Sequence, residues 1–156
     1  EMKNDTELGL LAKKYIAEGV LVPDEVTIGM LKNKVNANPD VGGYIFDGFP
    51  RNVVQAKALD EFLEAKGTEV KILVALDVED EEIVSRILSR GESSGRADDK
   101  DETIIRGRID VYENETTPVF DYYEMFQKST MVDGMGSIEE IFDRLCKAIE
   151  KSDEEE

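Results

Sequence analysis

The chain has no histidine among its 156 residues, so acid–base chemistry near neutral pH would fall to other groups. A single cysteine, Cys146, excludes an internal disulfide, and nothing suggests a zinc site. No apolar run is long enough to span a bilayer and no secretory leader is evident, which predicts a cytoplasmic location without a membrane partner. Positive charge is scarce: 19 lysines and arginines face 36 acids, for a formal net charge of −17. That balance argues against nonspecific binding to nucleic acid or to anionic membranes. No segment repeats another. What is present, 40% apolar and 35% charged residues in a length suited to one domain, suffices for a real core. The acidic tail from Ser152 to Glu156 is expected to fray.

The most informative stretch is Gly43-Tyr44-Ile45-Phe46-Asp47-Gly48-Phe49-Pro50-Arg51. Tyr44, Ile45 and Phe46 form an apolar run without alternation, which predicts a strand covered on both faces over 43–47. Asp47 would stand at its carboxyl end, where ligands collect in open α/β sheets and where nucleotide enzymes hold Mg²⁺. Gly48 permits close backbone approach, Pro50 stiffens the turn, and Arg51 offers a fork suited to phosphate. On these residues alone, a strand-turn-helix with a solvated arginine explains the stretch equally well.

Leu8, Leu11, Ala12, Tyr15 and Ile16 recur at helical spacing, predicting a helix from Thr6 to about Glu18 that Gly19 ends. A second helix should start near Pro23-Asp24-Glu25 and stop before Asn38-Pro39. A third runs from Val53 to about Lys66, with Val54, Ala58, Leu59, Phe62 and Leu63 facing inward. Strands follow at 70–78 and 130–133, the first rich in Val, Ile and Leu. Between them lie a helix over 80–90, a polar loop over 91–99, a helix over 101–116, and a turn or kink at Pro118 with helix continuing to Phe126. Ser137 should cap a last helix with Glu140 at the capping-box position, and Ile138, Ile141, Phe142, Leu145 and Ile149 form its stripe. Strands alternating with helices imply right-handed crossovers and an α/β fold, a parallel sheet with helices on both faces.

Five of the seven arginines lie between Arg86 and Arg108, which in an acidic chain points to a local anionic ligand. Arg86 and Arg90 share one helical face and should repel unless an anion sits between them. The plainer alternative is two solvated arginines paired with Glu82 or Glu92. Arg96 follows in the polar loop, ahead of Asp98 and Asp99, and Arg106 and Arg108 come on the next helix.

Asp47-Gly48-Phe49-Pro50-Arg51 followed by Gln55 resembles the loop and helix that grip AMP in adenylate kinases, and the likeness runs from Glu1 to about Ile149. It implies a single domain over 1–156 of the P-loop kinase type, with a small AMP-binding helical region at about 1–36 and a short lid at about 91–99. The resemblance puts Leu21, Val22, Thr27, Gly48, Phe49, Arg51 and Gln55 against AMP. Val20 and Thr27 stand where other members often carry a lysine and a valine. The arginine pattern is similar to the lid of the same enzymes and of pyrimidine monophosphate kinases. By it Arg86, Arg96 and Arg108 would be catalytic, Arg96 and Arg108 would also reach AMP, and Arg86 and Arg90 would bind ATP. Counting back from Tyr112 selects Arg108, whereas counting forward from Arg96 leaves Arg106 as a substitute. Asp98 and Asp99 would orient these arginines. Gly136 and Ile138 match positions along the ATP adenine, and Asp47 would reach Mg²⁺ through water.

No G-x-x-x-x-G-K-[ST] occurs in the sequence. Against the family, the chain reads as lacking the first strand, phosphate loop and helix, and residues 1–156 alone are expected to be inactive. The complete protein is expected to exchange a phosphoryl group between ATP and AMP, giving two ADP, as a monomer. A UMP/CMP kinase is the alternative within the class, and a non-catalytic nucleotide-binding module the alternative outside it.

Overall fold

Ala12, one and a half turns into an amphipathic helix, is almost fully buried, and the helix around it packs on the next one in the chain. The computed structural model describes residues 6–17, 22–95 and 97–154, which divide into two units. The first comprises the described residues up to Pro50 together with Val54–Glu69. It holds α1 (Glu7–Ala17), α2 (Asp24–Asn36) and all but the first residue of α3 (Val53–Glu64). The Thr6 hydroxyl opens α1 by accepting from Gly9 N at 3.1 Å. Pro23 precedes the acidic first turn of α2, as its missing N–H allows. α3 buries Gln55, Ala56, Leu59 and Leu63, whereas Val54, expected inside, is 62% exposed. On a helix Val54 and Leu59 cannot both point inward with Gln55 and Ala56 already there.

Residues 43–47 do not form the expected strand. Ile45 is 94% exposed, and the Tyr44 and Phe46 rings stack with centroids 6.1 Å apart. The Tyr44 hydroxyl donates to Asn38 O at 2.6 Å, which ties the segment to the chain leaving α2. Apolar content favours an extended backbone, but a strand also needs a neighbour's N–H and C=O groups. No described segment supplies them here.

The second unit, Arg51–Val53 with Val70 onward, carries the α/β character. β1 (Leu73–Asp77) and β2 (Ser129–Asp133) pair in parallel, from Leu73 opposite Ser129 to Asp77 opposite Asp133. Among the described residues the sheet has these two strands, one fewer than expected. Between them come α4 (Asp80–Ser94), α5 (Glu102–Val111) and α6 (Thr117–Glu124), and α7 (Ile138–Glu154) follows β2. α6 and α7 pack on the sheet, α4 packs on α5, and Val84, Ile105, Val119, Tyr123 and Val132 form the buried core.

α4 runs four residues past its expected end, through Ser94, and a 3₁₀ turn occupies Ala97–Asp99, so the loop over 91–99 is largely helical. Asp101 caps α5 by accepting from Thr103 N and Ile104 N. A π-helical turn, Tyr112–Thr116, joins α5 to α6. It lies where Pro118 withholds the N–H that the Asn114 carbonyl would accept in an α-helix. The stripe of α7 is only partly covered: Ile138 is 83% and Phe142 62% exposed.

Candidate functional site

Helical spacing sets Arg86 and Arg90 one turn apart on α4, but they turn to different anions: Arg90 to Asp99, which it shares with Arg108, and Arg86 to Glu82. Asp99 accepts two hydrogen bonds from Arg90, Nε to Oδ2 at 2.7 Å and Nη2 to Oδ1 at 2.9 Å. Arg108, arriving on α5, reaches Asp99 Oδ1 at 3.0 Å and Asp98 Oδ2 at 3.2 Å. The Asp99 side chain has 0% exposure, while both arginines remain part-exposed. A buried carboxylate would be costly alone; two guanidiniums and the Ser94 hydroxyl, 3.4 Å away, offset that cost.

Two glycines make the arrangement possible. A Cβ on Gly91 would stand 2.6 Å from the Asp99 carbonyl oxygen, so only a residue without one lets the 3₁₀ turn come this close to α4. Gly95 ends α4 in the left-handed conformation, at φ 70°, and starts the chain back toward it.

The other arginines are placed differently. Arg86 pairs with Glu82 at 2.7 Å, one of the partners expected for a solvated arginine, and also donates to the Gly134 carbonyl at 2.9 Å. Arg106 turns outward to Glu102 at 2.9 Å and Glu81 at 3.1 Å, and these hydrogen bonds, Glu102's first, raise its pKa above the ordinary arginine value. The geometry therefore groups Arg108, and not Arg106, with Arg90. Arg96 and Leu21 lie outside the described residues.

At the end of β2, Arg144 from α7 donates to the carbonyls of Asp133 and Met135 and so pins the turn that carries Gly136. Ser137 and Glu140 form the expected capping box: Ser137 N donates to Glu140 Oε2 at 2.8 Å, and Glu140 N to Ser137 Oγ at 3.2 Å. The Ser137 backbone N–H, and then its hydroxyl, hold the Glu140 carboxyl below its ordinary range.

In the first unit, Gln55 is 6% exposed and its Nε2 donates to Asp24 Oδ1, the first residue of α2, at 2.8 Å. Without the motif upstream, Gln55 reads from sequence as an exposed helix residue, and the structure buries it instead. Thr27, a turn into α2, donates to the Pro23 carbonyl at 3.4 Å, and Val22 just ahead of the helix is part-buried. Asp47 and Gly48 are exposed and Phe49 partly so. An open groove of about 310 Å³ runs beside them, lined by Leu31, Val35, Tyr44, Phe46, Asp47 and Phe49. Arg51 belongs to the second unit, where its carbonyl accepts from the Thr116 hydroxyl at 2.7 Å. Among the described residues no group of three or more acids or cysteines is placed to hold a metal by itself.

Asp24, Gly91 and Arg144 were not marked by sequence reasoning. Asp24 reads as a first-turn acid, and its partner lies 31 residues on; Gly91 reads as a loop residue; Arg144 reads as one cation on a solvated face. Only Gly91 left a signal, as a glycine directly after a helical stretch, where a missing Cβ permits close backbone approach.

A family model described as adenylate kinase matches residues 1–128. An adenylate kinase of Parabacteroides distasonis is 50% identical over 149 residues, 96% of this chain and 78% of the relative. One from Flavobacterium psychrophilum is 49% identical over 148 residues, covering 95% and 78%. One from Bacteroides fragilis is 43% identical over 150 residues, covering 96% and 79%.

Proposed function

This chain belongs to the adenylate kinase family of phosphotransferases, and from that premise we propose that it serves the exchange ATP + AMP to 2 ADP in the cytoplasm, as a monomer. The observation that carries the reading is Asp99, buried between Arg90 of α4 and Arg108 of α5. Phosphoryl transfer asks a protein for positioning and for dispersal of charge over the transferring group rather than for covalent chemistry. Guanidiniums brought together from two helices and held by one carboxylate are aimed before any ligand arrives, so their reorganisation costs little in the transition state. Arg86, Arg96 and Arg108 are assigned the charge on the transferring group, with Arg96 and Arg108 also on the AMP phosphate. ATP contacts go to Arg86, Arg90, Gly136 and Ile138. Leu21, Val22, Thr27, Gly48, Phe49, Arg51 and Gln55 are assigned to AMP.

Mg²⁺ accompanies ATP in this reading and would neutralise charge shared by its phosphates. The single exposed carboxylate of Asp47 suits it, because Mg²⁺ keeps most of its waters and takes few protein ligands. No described helix is long and apolar enough to cross a membrane.

The test is a coupled assay on the full-length enzyme with ATP as donor and AMP, CMP or UMP as acceptor. AMP should give the highest kcat/KM. A preference for either pyrimidine nucleotide would overturn the substrate assignment.

A further inference from the structure

Three consecutive carbonyls, from Asp133 to Met135, carry the chain out of β2, and two arginines from different helices receive all of them. Arg144 of α7 donates through Nη1 to Asp133 O at 2.9 Å and to Met135 O at 2.5 Å. Arg86 of α4 donates through Nη1 to Gly134 O, the carbonyl between, at 2.9 Å. The Asp133 carboxylate lies 3.5 Å from the same Arg144 nitrogen and accepts from Met135 N at 2.8 Å. Gly134 N donates to Asp77 O at the end of β1, at 2.8 Å. The turn is thus tied at each of its residues, and Arg144 bridges its two ends.

The start of α7 is already secured by the Ser137–Glu140 capping box, so the helix does not need these bonds in order to begin. What they fix is the path of the backbone into Gly136, which is exposed and sits at φ 109°. Ile138, just beyond, is 83% exposed. A guanidinium suits the task, because it is always charged and one of its nitrogens can offer two N–H bonds at fixed angles. Its bonds to carbonyls are charge-assisted, and the one to Met135 is part-buried, where water competes less.

We infer that Arg144 is a positioning residue for the donor nucleotide: by bridging Asp133 and Met135 it holds the turn in the shape that Gly136 and Ile138 offer to the base of ATP. The inference rests on those two residues contacting ATP, as proposed above. Arg144 need not touch ATP; it acts through the carbonyls it holds. A turn ordered before binding costs the ligand less than one that binding must order, so the effect falls on the base end of the donor and spares its phosphates.

The experiment uses full-length enzyme and compares ATP with inorganic tripolyphosphate, which has the phosphates and no base. Arg144→Met keeps most of the side chain's volume and removes its donors. It should raise KM for ATP about tenfold, while KM for AMP, kcat and the inhibition constant of tripolyphosphate against ATP stay within about twofold. Arg144→Lys keeps the charge but is one bond shorter. It should still raise KM for ATP about threefold, and it takes the place of Arg144→Met if that variant does not fold. Equal weakening of ATP and tripolyphosphate would reduce Arg144 to a cation that attracts phosphate and overturn the inference. A lower melting temperature with KM for both nucleotides raised together, the mark of a purely structural role, also overturns it. Ile138→Ala, at a residue 83% exposed, tests the reading beneath. If it raises KM for ATP and Arg144→Met does not, the inference falls and the donor-base assignment stands. If Ile138→Ala leaves KM for ATP unchanged, both fall.

Discussion

Gly91 and Asp99 meet backbone to backbone, so closely that a methyl group on Gly91 would stand 2.6 Å from the Asp99 carbonyl oxygen. The contact brings the Asp99 carboxylate within reach of Arg90 and Arg108. Gly91→Ala should therefore act through Asp99. Overpacking at such a site costs about 1–3 kcal/mol, read as a lower urea midpoint. Asp99→Asn should also destabilise the second unit, and the two losses should fail to add in the double variant because they break one arrangement. Additive losses would separate the glycine from the carboxylate.

The separation of Arg108 from Arg106 gives a kinetic contrast. Arg108→Ala should lower kcat by on the order of 10²-fold or more, as expected for an arginine aimed at transferring charge. Arg96→Ala should match it. Arg106→Ala breaks only exposed pairs with Glu81 and Glu102 and should leave kcat within about twofold. Steady-state kinetics with both substrates varied compare the three; similar losses for Arg106 and Arg108 would dissolve the distinction.

Gln55→Ala removes an amide from a nearly water-free position. Its loss, worth roughly 1–3 kcal/mol, should raise KM for AMP about tenfold or more and leave KM for ATP nearly unchanged. Equal effects on both nucleotides would remove Gln55 from the acceptor site.

Glu140 makes the start of α7 sensitive to acid. Its carboxyl is held below the ordinary range by the Ser137 N–H and then the Ser137 hydroxyl, so the folded form binds its proton less readily than the unfolded chain. The capping contribution is thus complete above the ordinary carboxylate range and is lost as pH falls through the depressed folded value. Amide exchange measured at a series of pH values, corrected for intrinsic rates, should show protection at Ser137 falling over that interval. Glu140→Gln should flatten the dependence, and a wild-type profile in that variant would assign it to another group.

Much of this was legible in the sequence because the signals are local. The capping box at Ser137 and Glu140 needs only a three-residue spacing, and helix α2 begins where Pro23 and two acids say it should. Residues 43–47 show the limit: hydrophobicity marks a segment fit for a sheet, but the ladder depends on a second segment that composition cannot name. Similarly, the polar run after Arg90 hid a helix end, because Gly91 reads as a breaker until its close neighbour is known. The arginine cluster was visible as a density of charge; its sorting was not. Arg108 pairs inward and Arg106 outward through helical phase and the reach of Glu81, which lies 25 residues earlier.

One carboxylate answering to Arg90 on one helix and Arg108 on the next has a consequence for anyone recombining such enzymes. The stretch from Arg90 to Arg108 is inherited as a block. A graft bringing a new connection between α4 and α5 but keeping the old arginines would leave two cations facing each other across a gap. A graft that replaces the arginines with neutral residues but keeps the old connection would take from the buried Asp99 carboxylate both Arg90 and Arg108. Crossover points belong outside that interval, and libraries that randomise the turn should hold Gly91, Asp99 and both arginines fixed together.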